Sequence, residues 1–301
     1  MALSTQTTRS AKGGAARART APVAIMHEYF DWHGHAMAFE CFGPSDGSPI
    51  LLMNGLLLDS LVNRVLARRL AVDGYRVILL DLLGHGASDR PVHATMNRID
   101  FYGDQAVACL DHLGIERAVV GGVSLGAIAT LHATVKYPER VRAQILEMPV
   151  MERSTIFAAL LLVPLVLSTQ YLRPVVRGFT GVMRRLPRPR KEVAASVMNA
   201  MSNSPEQIAS VLHGILVGPV VPPYPDRKRI IQPSLVIGHK GDWLHNLEDA
   251  HALTRQLPDA RFIEARSILE LRTKPDRLYP EIVGFLRAVE AQEAGASKGA
   301  V

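Results

Sequence analysis

Gly122-Val123-Ser124-Leu125-Gly126 is the stretch whose residue types and spacing could do chemistry. An apolar run with strand character, Arg117-Ala118-Val119-Val120, leads into it, and a helical run over residues 127–133 leads out. A serine held between glycines at a strand-to-helix turn predicts a nucleophile elbow; the bland alternative is a plain turn. The glycines let neighbouring backbone approach. The hydroxyl stands at a helix N-terminus, where the dipole favours developing negative charge. Serine is a weak nucleophile at its own pKa and needs an adjacent base.

The elements that must hold this turn alternate between strand and helix. Residues 26–32 and 37–43 flank His33-Gly34-His35 as a β-hairpin. Residues 49–53 and 76–80 are continuous apolar runs of the kind found inside parallel sheets. Further strands are expected at 117–120, 141–147, 234–238 and 260–264, and helices at 61–71, 100–113, 247–256 and 275–292. This pattern predicts an α/β fold: a mainly parallel eight-stranded sheet with helices on both faces. Between 151 and 229 it breaks into helices and a proline-rich run with no clear strand, which reads as an inserted helical cap. The core then comprises 23–150 and 230–292, with a disordered basic tail at 1–22 and a small flexible tail at 293–301.

The net charge of +6 is unevenly placed. Residues 1–22 carry Arg9, Lys12, Arg17 and Arg19 without an acid, and lack the apolar core of a secretory signal; an Arg-rich transit peptide is the alternative to a tail. Residues 154–191 carry Arg173, Arg177, Arg184, Arg185, Arg188, Arg190 and Lys191, again without an acid. No aromatic residues interleave with them in a nucleic-acid motif, so nucleic acid is not an expected partner. The two cysteines, Cys41 and Cys109, sit in apolar contexts without metal-ligand spacing and read as buried thiols of a reducing, cytoplasmic compartment. The longest strongly apolar run, residues 156–167, is too short to span a bilayer and carries a central proline, Pro164. Nothing points to a metal, flavin or nucleotide cofactor.

Asn54-Gly55 after a strand, Asp81-x-x-Gly84-His85-Gly86-x-Ser88, the Ser124 turn, and Gly238-His239-Lys240-Gly241-Asp242 after a late strand together resemble the α/β-hydrolase superfamily, over about 26–150 and 230–290. The resemblance implies that Ser124 is the nucleophile and Asp242 the acid of a triad, and that the backbone N–H groups of Leu56 and Leu125 form the oxyanion hole. It places His85 in a structural Gly-His-Gly loop. Asn54, Gly55 and Trp243 are expected beside the substrate, with packing on the cap as the other reading of Trp243.

One part of the pattern is missing. The family places its base just after the last strand, where this chain reads Ala265-Arg266-Ser267-Ile268, and no histidine follows His251. Three readings stay open. His245 supplies the base from the loop of Asp242; another histidine, such as His239, His85 or His213, enters; or no competent triad forms. Glu147, at the end of a strand, is an alternative acid. The first reading is a cofactor-independent serine hydrolase acting on an apolar acyl or ring-containing small molecule. The competing one is a catalytically weak or inactive member that binds an apolar ligand. Apolar surface and cations on the cap also allow weak contact with a membrane surface.

Overall fold

The computed structural model describes residues 27–242 and 244–299. The expected tail at 1–22 lies outside the described residues, as does Trp243. The chain enters through a hairpin, β1 (Glu28–Trp32) and β2 (His35–Phe42), turned by His33 and Gly34 at φ of 52° and 81°. β3 (Pro49–Met53), β4 (Arg76–Leu80), β5 (Ala118–Val123), β6 (Val141–Glu147), β7 (Ser234–His239) and β8 (Ala260–Ala265) follow. They form one sheet in the order β1-β2-β4-β3-β5-β6-β7-β8. β2 pairs antiparallel with β1 and β4; every other pairing is parallel.

The apolar runs become inner strands because both their faces are covered. α1 (Arg64–Val72), α2 (Ile99–His112) and α3 (Leu125–Lys136) follow β3, β4 and β5. Leu51 and Met53 of β3 pack on the side of α2 and α3, with Tyr102, Leu110, Leu125 and Ile128. Ile50 and Leu52, pointing the other way, pack with Leu66 and Leu70 of α1 and with Ile282 and Leu286 near the C-terminus. The period-2 alternation of a strand thus feeds two separate cores from one run of five residues.

Five helices lie between β6 and β7, with no strand among the described residues: α4 (Glu152–Tyr171), α5 (Arg173–Arg185), α6 (Glu192–Ala200), α7 (Pro205–Val217) and the short α8 (Tyr224–Arg227). Ser204 and Gln207 close a capping box on α7, with Pro205 at its first position. Leu162 and Val166 of α4 pack with Ile208 and Leu212 of α7 above Leu56 and Leu57 of the core. α4 extends beyond the apolar run of 156–167, itself too short for a bilayer: the helix is 20 residues in all, continues through Pro164, and is long and apolar enough to cross a membrane by length and composition alone. A helix tolerates such a proline where tertiary packing supports the turn around it, here through Leu162 and Val166.

The core resumes after β7 with α9 (Leu247–Gln256), α10 (Glu270–Thr273) and α11 (Tyr279–Gly299). α11 runs on to Gly299 instead of ending at 292. Cys109 is buried, but Cys41 is exposed, contrary to its apolar context. β1 pairs with β2 only as far as Phe39, so the end of β2 outruns that cover.

Asp249 of α9 joins core to cap. Its buried carboxylate accepts the backbone N–H groups of Ser154 (2.7 Å), Met151 (3.3 Å) and Arg153 (3.3 Å), supplying the free donors that open α4. Asp249→Ala should lower stability by about 1–2 kcal/mol, the worth of a strong N-terminal cap. Urea unfolding should show a lower midpoint with an unchanged slope.

Candidate active site

The turn after β5 is built by close approach. A Cβ on Gly122 would lie 2.8 Å from Gly126 Cα and from the Met53 carbonyl; one on Gly126 would lie 2.7 Å from that same carbonyl. β5, β3 and the first turn of α3 can therefore meet only if both positions are glycine. Ser124 between them takes φ 52° and ψ −104°, a conformation costing a non-glycine residue on the order of 1–3 kcal/mol. Its backbone is held on both sides: Ser124 N–H donates to the Glu147 carbonyl (2.8 Å), and its carbonyl accepts from Ile128 N–H (3.1 Å).

His245 reaches this serine. Its Nε2 lies 2.9 Å from Ser124 Oγ, and its Nδ1 lies 2.7 Å from Asp242 Oδ2. The other carboxylate oxygen, Asp242 Oδ1, accepts the backbone N–H groups of Leu244 (2.9 Å) and His245 (3.1 Å). This Asx turn curls the loop after β7 so that an aspartate and a histidine three residues apart point along one line to Ser124. Burial pushes the Asp242 carboxyl up, but its hydrogen bond to His245, the histidine's charge and the two backbone donors outweigh that and hold it below the usual aspartate value. An ionised Asp242 fixes the proton on Nδ1 and leaves Nε2 free to accept. The loop is anchored beyond His245, where Asn246 N–H donates to Ser154 Oγ of α4 (2.9 Å) and Asn246 Oδ1 caps α9 through Glu248 N–H (2.9 Å).

Two of the other candidate histidines, His85 and His239, are committed elsewhere. His85 is fully buried, with Nδ1 2.9 Å from the Leu83 carbonyl, and burial lowers its pKa to about 4. His239 is buried, with Nδ1 3.0 Å from the Ser267 carbonyl and Nε2 3.0 Å from Glu147 Oε1. Among the described residues, the side-chain hydrogen bond to Ser124 Oγ comes from His245 and not from His213. The segment that replaces the expected histidine, Arg266-Ser267, thus holds a buried imidazole through its backbone. Glu147 is not free to act as an acid. Both its oxygens bind the buried Arg272 guanidinium, the Oε2–Nη2 contact at 2.7 Å. Burial would raise the Glu147 carboxyl, but Arg272 and His239 reverse this and hold it at about 2.

The loop after β3 contributes differently from what its residues suggest. Asn54 is fully buried; its Nδ2 donates to the Gly55 (2.9 Å) and Leu58 (3.0 Å) carbonyls, and its Oδ1 accepts Leu82 N–H (2.9 Å). With its hydrogen-bonding groups engaged in this way, its buried side chain braces the loop. Gly55 is buried as well, 3.5 Å from Val123 as a Cβ would measure it. Among the described residues, the backbone N–H groups of Leu56 and Leu125 make no hydrogen bond within the protein. Trp243 lies outside the described residues, so its expected place beside the substrate has no counterpart here. Ser154, Asp249 and Arg272 were not singled out in the sequence. The only local sign of them was a polar residue beside an apolar run.

A polar cavity of about 740 Å³, lined by residues including Leu57, Asp59, Arg64, Asp81, Arg184 and Arg188, opens on the cap side of the core. Neither Ser124 nor His245 lines it.

Comparison with known proteins agrees with this architecture. Over 106 residues the chain is 35% identical to 3-oxoadipate enol-lactonase 2 of Acinetobacter baylyi, a match covering 35% of this chain and 38% of that one. Over 71 residues it is 46% identical to 2-hydroxymuconate semialdehyde hydrolase of Pseudomonas sp. strain CF600, covering 24% and 25%. The chain therefore spans well under half the length of these curated relatives in the matched stretches. Its fold superposes on the crystal structure of the enol-lactonase from Burkholderia xenovorans LB400 with a TM-score of 0.70 at 20% identity, covering 86% of this chain and all of that one. Residues 48–266, from the strand before Asn54 to the segment after β8, match the family model of the alpha/beta hydrolase fold, and the chain belongs to that family.

Proposed function

We propose that this protein is a cofactor-independent serine hydrolase that cleaves an ester or related acyl bond in a small molecule with an apolar portion. The observation that carries this reading is the chain Ser124 Oγ, His245 Nε2, His245 Nδ1, Asp242 Oδ2, with links of 2.9 and 2.7 Å. His245 takes the hydroxyl proton as Ser124 Oγ adds to the acyl carbon. The carbonyl electron pair moves onto oxygen, toward the free N–H groups of Leu56 and Leu125. One such donor is worth about 10²–10³ in rate. Collapse expels the leaving group, which takes the proton from His245 and leaves an acyl-enzyme. Water, deprotonated by the same Nε2, then releases the acid and restores Ser124. Asp242 holds the imidazole in the required tautomer and stabilises its cationic form.

The substrate class rests on the apolar cap cluster over Leu56 and Leu57, directly beside the proposed oxyanion hole. Two relatives carry the names of a hydrolase and a lactonase, which is the reaction class proposed. The competing reading, a ligand-binding member without turnover, drew its support from the absent histidine after β8. The contact of His245 with Ser124 at 2.9 Å supports turnover over that reading.

A fluorophosphonate probe should label the wild-type chain at Ser124, seen as a mass shift of the intact protein, and p-nitrophenyl butyrate should be turned over. Ser124→Ala should lose both. Equal turnover by Ser124→Ala would overturn the proposal.

A further inference from the structure

α5 is amphipathic the wrong way round for a surface helix. Val175, Phe179 and Val182, with Leu186 just past its end, recur at the spacing of one helical stripe. That stripe faces solvent: these residues are 68, 46, 51 and 43% exposed. Arg173, Arg177 and Arg184 lie on the other side and bind groups of the protein, although the first two stay 52 and 61% exposed. Arg173 and Arg177 bind Glu206 at the start of α7, and Arg184 Nε donates to the Ser202 carbonyl (2.8 Å). α4, which packs beside α5, has an exposed apolar face of its own. Leu162 and Val166 are buried on α7, while Leu160, Leu167 and Tyr171 are exposed. Large exposed apolar residues of this density rarely face water without a partner.

The rim says which partner. Arg185, Arg190 and Lys191, at the end of α5 and in the loop behind it, are exposed and have no ion-pair partner among the described residues. No acid occurs from 154 to 191. A second copy placed symmetrically on this face would bring like charges together, whereas an anionic bilayer offers apolar depth and a negative surface at once. We propose that the outer face of α4 and α5 is a membrane-docking surface, lying in the interface of an anionic bilayer with Val175, Phe179, Val182 and the outer leucines of α4 inserted. The helices lie along the bilayer and do not cross it, because the inner face of α4 is committed to α7. This inference stands on the exposed face and is independent of the chemistry assigned to Ser124.

Flotation of the full chain with vesicles of phosphatidylcholine alone, or with about one third phosphatidylglycerol, tests it. Binding is expected to the anionic vesicles, with at least tenfold weaker partition to the neutral ones. Val175→Ser/Phe179→Ser/Val182→Ser keeps every cation, including those of residues 1–22, and is expected to lose at least tenfold in partition with an unchanged far-UV circular dichroism spectrum. Arg185→Gln/Arg190→Gln/Lys191→Gln should lose most of the preference for anionic vesicles. Equal partition of the wild type and the serine variant would overturn the proposal. So would a concentration-dependent dimer in sedimentation that the serine variant abolishes, since the occupant would then be a second copy.

Discussion

His245→Ala is expected to lower kcat/KM on p-nitrophenyl butyrate by roughly 10⁴- to 10⁶-fold, as removal of the base does in a serine triad. The double variant Ser124→Ala/His245→Ala should be no worse than either single one, because residues that act as a unit lose their function together. Asp242→Asn should cost on the order of 10⁴, since an amide no longer fixes the proton on Nδ1. A short side chain leaves the anchors of the loop in place: Asn246 still holds Ser154 and caps α9. The loss should therefore appear in activity and not in the unfolding midpoint. His239→Gln and His85→Gln give the contrast. Both side chains are buried away from Ser124, and their replacement should lower stability while leaving His245 in contact with Ser124. Retention of full activity by His245→Ala would place the base on another residue.

Arg272→Ala should give the largest loss of stability, about 3–5 kcal/mol, the usual cost of leaving one member of a buried ion pair without its partner. Both oxygens of Glu147 are taken up by Arg272, and His239 alone remains beside them once the guanidinium is gone. The sign of the pH dependence follows from Glu147. Its folded-state pKa is about 2, depressed from 4.5, so its contribution is complete above 4.5 and lost as pH falls toward 2. That contribution is about 3 kcal/mol on the linkage scale. Unfolding measured from pH 7 down to pH 2.5 should show the wild type losing stability through this window and Arg272→Ala losing much less. Arg272→Met/Glu147→Met should recover most of the stability. The same residue touches the chemistry indirectly, because the Glu147 carbonyl holds Ser124 N–H at the strained turn.

Much of this molecule can be read locally. β3 and β4 are legible because an uninterrupted apolar run suits a strand covered on both sides, and α9 because Asn246 caps a periodic segment. The limits of α4 and α11 were harder. The apolar run of 156–167 marks only the middle of α4, and the small polar residues after 292 read as a tail when taken alone, but helical continuity carries the chain past both limits. Cys41 failed for a related reason: apolar neighbours in sequence say nothing about where the pairing strand ends. Asn54 was expected near a substrate because of its place after β3, yet three backbone groups from two loops claim its side chain.

By itself, the amino-acid sequence determined the sheet, the helical insertion and the position of the serine turn. Each is set by residues that are neighbours along the chain: apolar runs, glycines that admit close backbone, and a serine two residues from each. Only the tertiary structure decided which histidine meets that serine. His85, His213, His239 and His245 were all available, and no local pattern separates them. His245 lies 121 residues from Ser124 and reaches it because β5, β6 and β7 are adjacent parallel strands whose ends emerge on one edge, and because the Asx turn at Asp242 aims the imidazole back along that edge. His239, six residues earlier at the end of β7, is instead drawn inward by Glu147 and the Ser267 carbonyl. The segment that lacks the expected histidine has become the support for a buried one.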